Sequence, residues 1–147
     1  MAKNIGGFGL SITIIGSITF PVGFPITQFA DDADPFDVPS IQLKDKAMGL
    51  NGDLVTWAKA HPINITINVI PGGDDDVLLA ILAEANRVGK GKLSINDKIS
   101  MVGIYPDGKT IISLLNGAIT DAMPGTTVSN SGRFKSKTYS FTFENKA

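Results

Sequence analysis

The residues able to do chemistry are few. The sequence holds no cysteine and a single histidine, His61. That excludes disulfide scaffolds, Cys-zinc sites, thiol catalysis and multi-histidine metal centres. His61 stands before Pro62 at the start of a strand-like run. A catalytic base needs an oriented partner and a nucleophile, and no motif supplies either. Ser113, Ser129 and Ser131 lack the glycine spacing of a nucleophile elbow. Gly89-Lys90-Gly91-Lys92 lacks the preceding glycine and following hydroxyl residue of a phosphate loop. It also follows a helical pattern, where a phosphate loop precedes one.

The remaining charged clusters suit contact better than catalysis. Asp31, Asp32, Asp34 and Asp37 lie in the segment ADDADPFDVPS. They lack the ligand order, central glycine and closing glutamate of a calcium loop. An exposed acidic loop is expected, available for subunit contact. Arg133, Lys135 and Lys137 form a basic run expected to meet acidic protein surface. Asp74, Asp75 and Asp76 suit the positive end of a helix dipole, with Asp74 as the expected N-cap. No cofactor, metal or enzymatic activity is expected.

The elements that would carry these residues are mostly strands. From Phe8 to Phe20 apolar residues alternate with Ser11, Thr13, Ser17 and Thr19, as in a half-buried strand bent near Gly16. The alternation argues against a membrane helix or a cleaved leader, and no A-x-A site follows. Pro21, Gly23 and Pro25 are expected to break the strand. Residues 41–56 are ambiguous around a turn at Gly49–Gly52, with a short strand expected at Asp53–Trp57. Ile63–Ile70 alternates cleanly, with Asn64, Thr66 and Asn68 on the polar side. Pro71-Gly72-Gly73 stops it. Val77, Leu78, Ile81, Leu82, Ala85 and Val88 then recur at helical spacing, predicting one helix over about 74–88, with Leu78 and Leu82 on its core stripe. Ile99–Tyr105 and Thr110–Thr120 flank Pro106-Asp107-Gly108 as a hairpin. Both carry apolar residues of either parity, so two covered faces are implied. Gly132–Phe143 ends the chain as a strand with Thr138, Ser140 and Thr142 on its polar side and a bulge near 135–137.

At 147 residues the chain suits one domain, spanning 1–147. Hydrophobic residues make up 43% and charged residues 18%, a low charge content that implies some surface is covered by other subunits. The net charge of -1 leaves no electrostatic footprint for nucleic acid. Yet residues 1–86 carry -6 and residues 87–147 carry +5, either paired internally or presented as complementary faces.

INITINVIPGGDDDVLLAILAEANRVG joins an alternating strand, a glycine turn and one amphipathic helix, and AITDAMPGTTVSNSGRFKSKTYSFTFE follows a hairpin. This order resembles the tail tube proteins of bacteriophages, particularly contractile-tailed ones, with relatives in bacteriocin tails and type VI secretion. The resemblance covers roughly Ser40 to the C-terminus and, more weakly, the opening strand. It implies a mainly β fold, an antiparallel β-sandwich or partly closed barrel with one flanking helix. It implies hexameric rings stacked into a tube in the virion tail, made in the host cytoplasm. DNA would pass through without specific binding. Sheath, baseplate and tail terminator proteins would be partners, with no membrane insertion. The strand faces Ser11, Thr13, Asn64, Thr66, Asn68, Thr138, Ser140 and Thr142 become candidates for the channel wall. Asp31, Asp32, Asp34, Asp37, Arg133, Lys135 and Lys137 become candidates for contacts between subunits or rings. The alternative is a carbohydrate- or cell-surface-binding β-sandwich of a fibre or baseplate. That function wants an exposed aromatic platform, and Trp57, Tyr105 and Tyr139 are scattered.

Overall fold

A computed structural model describes residues 6–31, 33–107, 109 and 111–146. The chain is mainly β with one helix, as expected, in the partly closed form. Seven strands form one antiparallel sheet in the order β2-β1-β7-β8-β9-β6-β3. They are β1 (Ser11–Gly16), β2 (Phe20–Ile26), β3 (Phe36–Asp37), β6 (Ile63–Val69), β7 (Ile99–Ile104), β8 (Ile111–Ala122) and β9 (Lys137–Lys146). A separate hairpin comprises β4 (Lys44–Met48) and β5 (Leu54–Ala58). Helix α1 (Asp74–Ala85) packs on the sheet between β2 and β8.

Alternation sets the faces, because successive strand side chains point opposite ways. Ile12 and Ile14, Ile65, Ile67 and Val69, and Tyr139, Phe141 and Phe143 are buried on one face. The intervening polar residues lie on the other. Gly117 allows Phe143 to lie directly over the β8 backbone; a Cβ there would sit 2.3 Å from the ring. The sheet curls until the chain leaving β2 reaches β6. Phe29 bridges Val69, Ala30 N–H donates to the Asn68 carbonyl at 3.0 Å, and Asn68 N–H donates to the Pro35 carbonyl at 3.1 Å. This lacing narrows the gap in the barrel.

Several expectations need correction. Pro21, Gly23 and Pro25 do not break the sheet; they lie in β2. That strand is at the sheet edge, where an amide-free proline is tolerated on the open side. The opening strand does bend at Gly16, but it splits there into β1 and β2 around residues 17–19. Asp74 is not the N-cap: Gly73 holds that position without a side-chain hydrogen bond. The helix ends at Ala85 rather than near 88. Asn86 stops it, because its side chain donates to the Leu82 carbonyl and to Asp97 and accepts from the Asp97 amide. The stripe is rotated by about one position, so Leu79 and Leu82 are fully buried and Leu78 only partly. Residues 132–136 form a loop instead of strand, tied by a Val128–Phe134 bridge. Besides the one between Ile14 and Gly16, the ladder irregularities fall in β8, near Asn116 and Ile119–Asp121, instead of near 135–137.

Leu82 is the sharper test of this packing. Leu82→Ala should cost about 2–5 kcal/mol, whereas Ile81→Ala, at 48% exposed, should stay within about 1 kcal/mol, near the surface range. Urea unfolding of both variants, with the slope held constant, decides it.

Candidate assembly surfaces

The polar strand faces come together on one side of the sheet. In the β6–β9 ladder Asn64 pairs with Thr142, Thr66 with Ser140 and Asn68 with Thr138. Thr142 Oγ1 donates to Asn64 Oδ1 at 2.9 Å, and Thr138 Oγ1 to Asn68 Oδ1 at 2.5 Å. Ser11 and Thr13 share this side across β7 and β8, where Val102, Ile104 and Ile111 make it apolar. Asn68 differs from the others. It is 7% exposed, and its amide donates to the Asp34 carbonyl at 2.6 Å, so it anchors the 34–35 segment.

The acidic and basic candidates partly meet inside one chain. Arg133 donates to both Asp31 oxygens, at 3.0 and 3.3 Å, tying the loop after β2 to the loop before β9. The hydrogen bond and charge of Arg133 hold the Asp31 carboxyl below its ordinary value. Both side chains are more than half exposed, so the pair adds little stability. Asp34 and Asp37 are exposed; Asp32 lies outside the described residues. Lys135 is exposed. Lys137 is not surface: it is 8% exposed and paired with Asp76 at 3.4 Å, because its register opposite Val69 turns it to the core side. Tyr139 donates to Asp76 at 2.7 Å; burial first, and the adjacent carboxylate second, keep the phenol protonated far above its usual range.

Asp75 and Asp97 fix the two ends of α1. Asp75 Oδ2 accepts the amides of Thr27 and Gln28, each at 2.8 Å. Asp97 Oδ1 accepts the amides of Ile18 and Thr19 at 2.8 and 3.0 Å, while Oδ2 accepts from Thr19 Oγ1 and Asn86. Burial pushes the Asp97 carboxyl up, but the hydrogen bonds from Thr19, Asn86 and Ile18 outweigh it, leaving it below the usual value. His61 Nε2 is buried without a hydrogen-bond partner. Among the described residues no group of three or more His, Asp or Glu could hold a metal ion.

The surface that sequence left ambiguous is the β4–β5 arm. Asp45 is its one partly covered strand residue; Met48, Leu54, Val55 and Trp57 are all exposed. Leu50, at the tip, is completely exposed. A lone two-stranded hairpin is marginal in water. The available signal was a glycine turn flanked by short runs with apolar residues on both faces.

A family model described as tail fiber protein gp32 matches residues 3–147. The chain belongs to this family. Membership makes it a structural component of a phage tail, associated with the virion or particle. Three cryo-EM structures share its fold from end to end. A chain of the anti-feeding prophage baseplate aligns with TM-score 0.57 and 8% identity, over 100% of this chain and 96% of that one. A chain from the sheath/tube terminator of an extracellular contractile injection system in its extended state gives 0.56 and 9%, over 100% and 97%. One from the anti-feeding prophage tube-terminating cap gives 0.55 and 11%, over 100% and 91%. No curated protein matches the sequence.

Asp97 yields a pH prediction. Its folded pKa is depressed, so its stabilisation is present above the unfolded carboxylate pKa of about 3.9 and fades as pH falls through the lower folded value. Asp97→Asn should lower stability at neutral pH and flatten the loss between about pH 5 and the folded pKa. Thermal melts at stepped pH read both effects; parallel wild-type and variant profiles would contradict the assignment.

Proposed function

We propose that this chain is the repeating subunit of a phage tail tube, assembling as stacked rings around a channel that conducts DNA. The observation that carries the reading is the polar face of β6 and β9. It presents hydroxyls and amides from the wall of a curled sheet whose other face is the core. Such alternation suits a wall between a packed interior and a water-filled lumen. Support comes from the end-to-end fold likeness to chains of contractile-injection particles. The exposed apolar residues of the arm and of β7 and β8 add to it, since neighbours would cover them.

The chain then acts passively and is no enzyme. Its candidate lumen residues Ser11, Thr13, Asn64, Thr66, Thr138, Ser140 and Thr142 offer no positive charge, so DNA phosphates find no grip. Sheath, baseplate and terminator proteins would contact the outer surface and the tube ends. A fibre or baseplate module is the second reading, favoured by the family's description as a tail fiber protein and by Trp57, which is 46% exposed on the arm.

Negative-stain microscopy separates the two. Rings or tubes about 100 Å across, the scale of several small domains around a channel, support the tube; dispersed particles that bind host-surface glycans support the module. For the tube, Asn64→Lys with Ser140→Lys should leave the core face intact and slow DNA ejection, most at low salt where screening is weakest. Unchanged ejection with the lysines located in the lumen would remove the passive-wall mechanism.

A further inference from the structure

The sequence holds two Asn-Gly pairs, Asn51–Gly52 and Asn116–Gly117. In such a pair the glycine nitrogen can approach the asparagine side-chain carbonyl with no Cβ in the way. The fold treats the two pairs differently. Asn51 and Gly52 lie in the exposed turn of the β4–β5 arm, between Gly49 and Asp53. Gly52 has φ +87° and open space where a Cβ would lie. One local hydrogen bond, to the Gly49 carbonyl at 3.0 Å, holds its amide. The Asn51 side chain makes no hydrogen bond among the described residues.

Asn116–Gly117 is locked in place. Gly117 is buried in β8, opposite Ile99 on one side and Phe143 on the other. The Phe143 ring covers it. Its nitrogen cannot swing onto the Asn116 side chain without disturbing the ladder and that ring. Asn130 precedes Ser131, whose Cβ crowds the approach and whose Oγ is 2.7 Å from Ser129 Oγ.

We propose that Asn51 is a site of spontaneous deamidation and that the fold shields Asn116 from the same reaction. The Gly52 nitrogen loses its proton to hydroxide and bonds to Asn51 Cγ. The Cγ–Nδ2 bond breaks, and Nδ2 takes up a proton and leaves as ammonia. Water then opens the cyclic imide at one of its two carbonyl carbons. Opening at Cγ gives aspartate. Opening at the backbone carbonyl gives isoaspartate, in which the chain runs through Cβ and is one methylene longer. Either product adds one negative charge to the chain, close to Asp53 and next to the fully exposed Leu50. A surface that packs on Leu50 would then distinguish new chains from aged ones, because an unpaired carboxylate is costly to cover. The reaction needs only the folded chain and water, so it stands apart from the assembly reading.

Purified full-length protein is held at growth temperature in buffer made with heavy-oxygen water, then digested and mapped by mass spectrometry. The Asn51 peptide should convert to two isomeric acids, each carrying one heavy oxygen. It should do so about tenfold or more faster than the Asn116 peptide, a barrier difference of about 1.4 kcal/mol. Conversion should be faster in mildly alkaline than in mildly acidic buffer, and Asn51→Gln should abolish it. In concentrated urea the two pairs should convert at similar rates, because the ladder that protects Gly117 is gone. Folded protein in which Asn51 stays intact, or in which Asn116 or Asn130 converts as fast, overturns the proposal. Rates at Asn116 that urea leaves unchanged overturn the shielding by the fold.

Discussion

Helix α1 is held across the barrel by buried carboxylates that accept backbone amides from other segments. Asp75 takes two amides just after β2, Asp76 takes Gly72 N–H and Tyr139, and Asp97 takes two amides of the turn between β1 and β2. Each buried acceptor is satisfied by several donors, which is the condition for keeping a charge away from water. The position of the helix follows, and with it the burial of Leu79 and Leu82 and the shape of a groove beside β8. Loss of one acceptor would leave amides at a neighbouring turn unpaired as well as freeing the helix end.

With the helix fixed, its apolar residues divide between two neighbours. Leu79 and Leu82 face the core, while Val77 and Ile81 remain about half exposed. A helix apolar on both sides is normally covered on both. The arm and the outer face of β7 and β8 show the same excess of exposed apolar surface. The low charge content is therefore distributed in a pattern of discrete patches, consistent with a subunit shaped for contact.

The mainly β fold and the paired polar strands were legible in the sequence because Ile63–Val69 and the Thr138–Phe143 part of β9 alternate apolar and polar residues. The position of the helix start was legible from the glycine turn and the aspartates. Its rotation was not, since Leu78 and Leu79 are equally apolar and tertiary contacts chose between them. Edge prolines read as breakers because an isolated sequence does not reveal which strand lies at the edge. Asp97 gave no signal at all: its partners Ile18 and Thr19 are nearly eighty residues away in sequence. The Asp31–Arg133 pair likewise joins two runs that sequence treated as separate contact segments. For the candidate wall, alternation placed the polar residues on one face, but only the loop packing shows that Asn68 is already covered.

The prolines of β2 bear on when such a subunit would polymerise. Pro21 and Pro25 carry no amide hydrogen, and with Gly23 they occupy alternate positions along the open edge. A passing strand therefore finds few donors there, and spontaneous edge-to-edge pairing is disfavoured. In the tube proposed above, that would shift control from concentration to nucleation. Under the tube proposal, free chains would accumulate without tangling, and growth would begin where a preformed ring or platform offers a complementary surface.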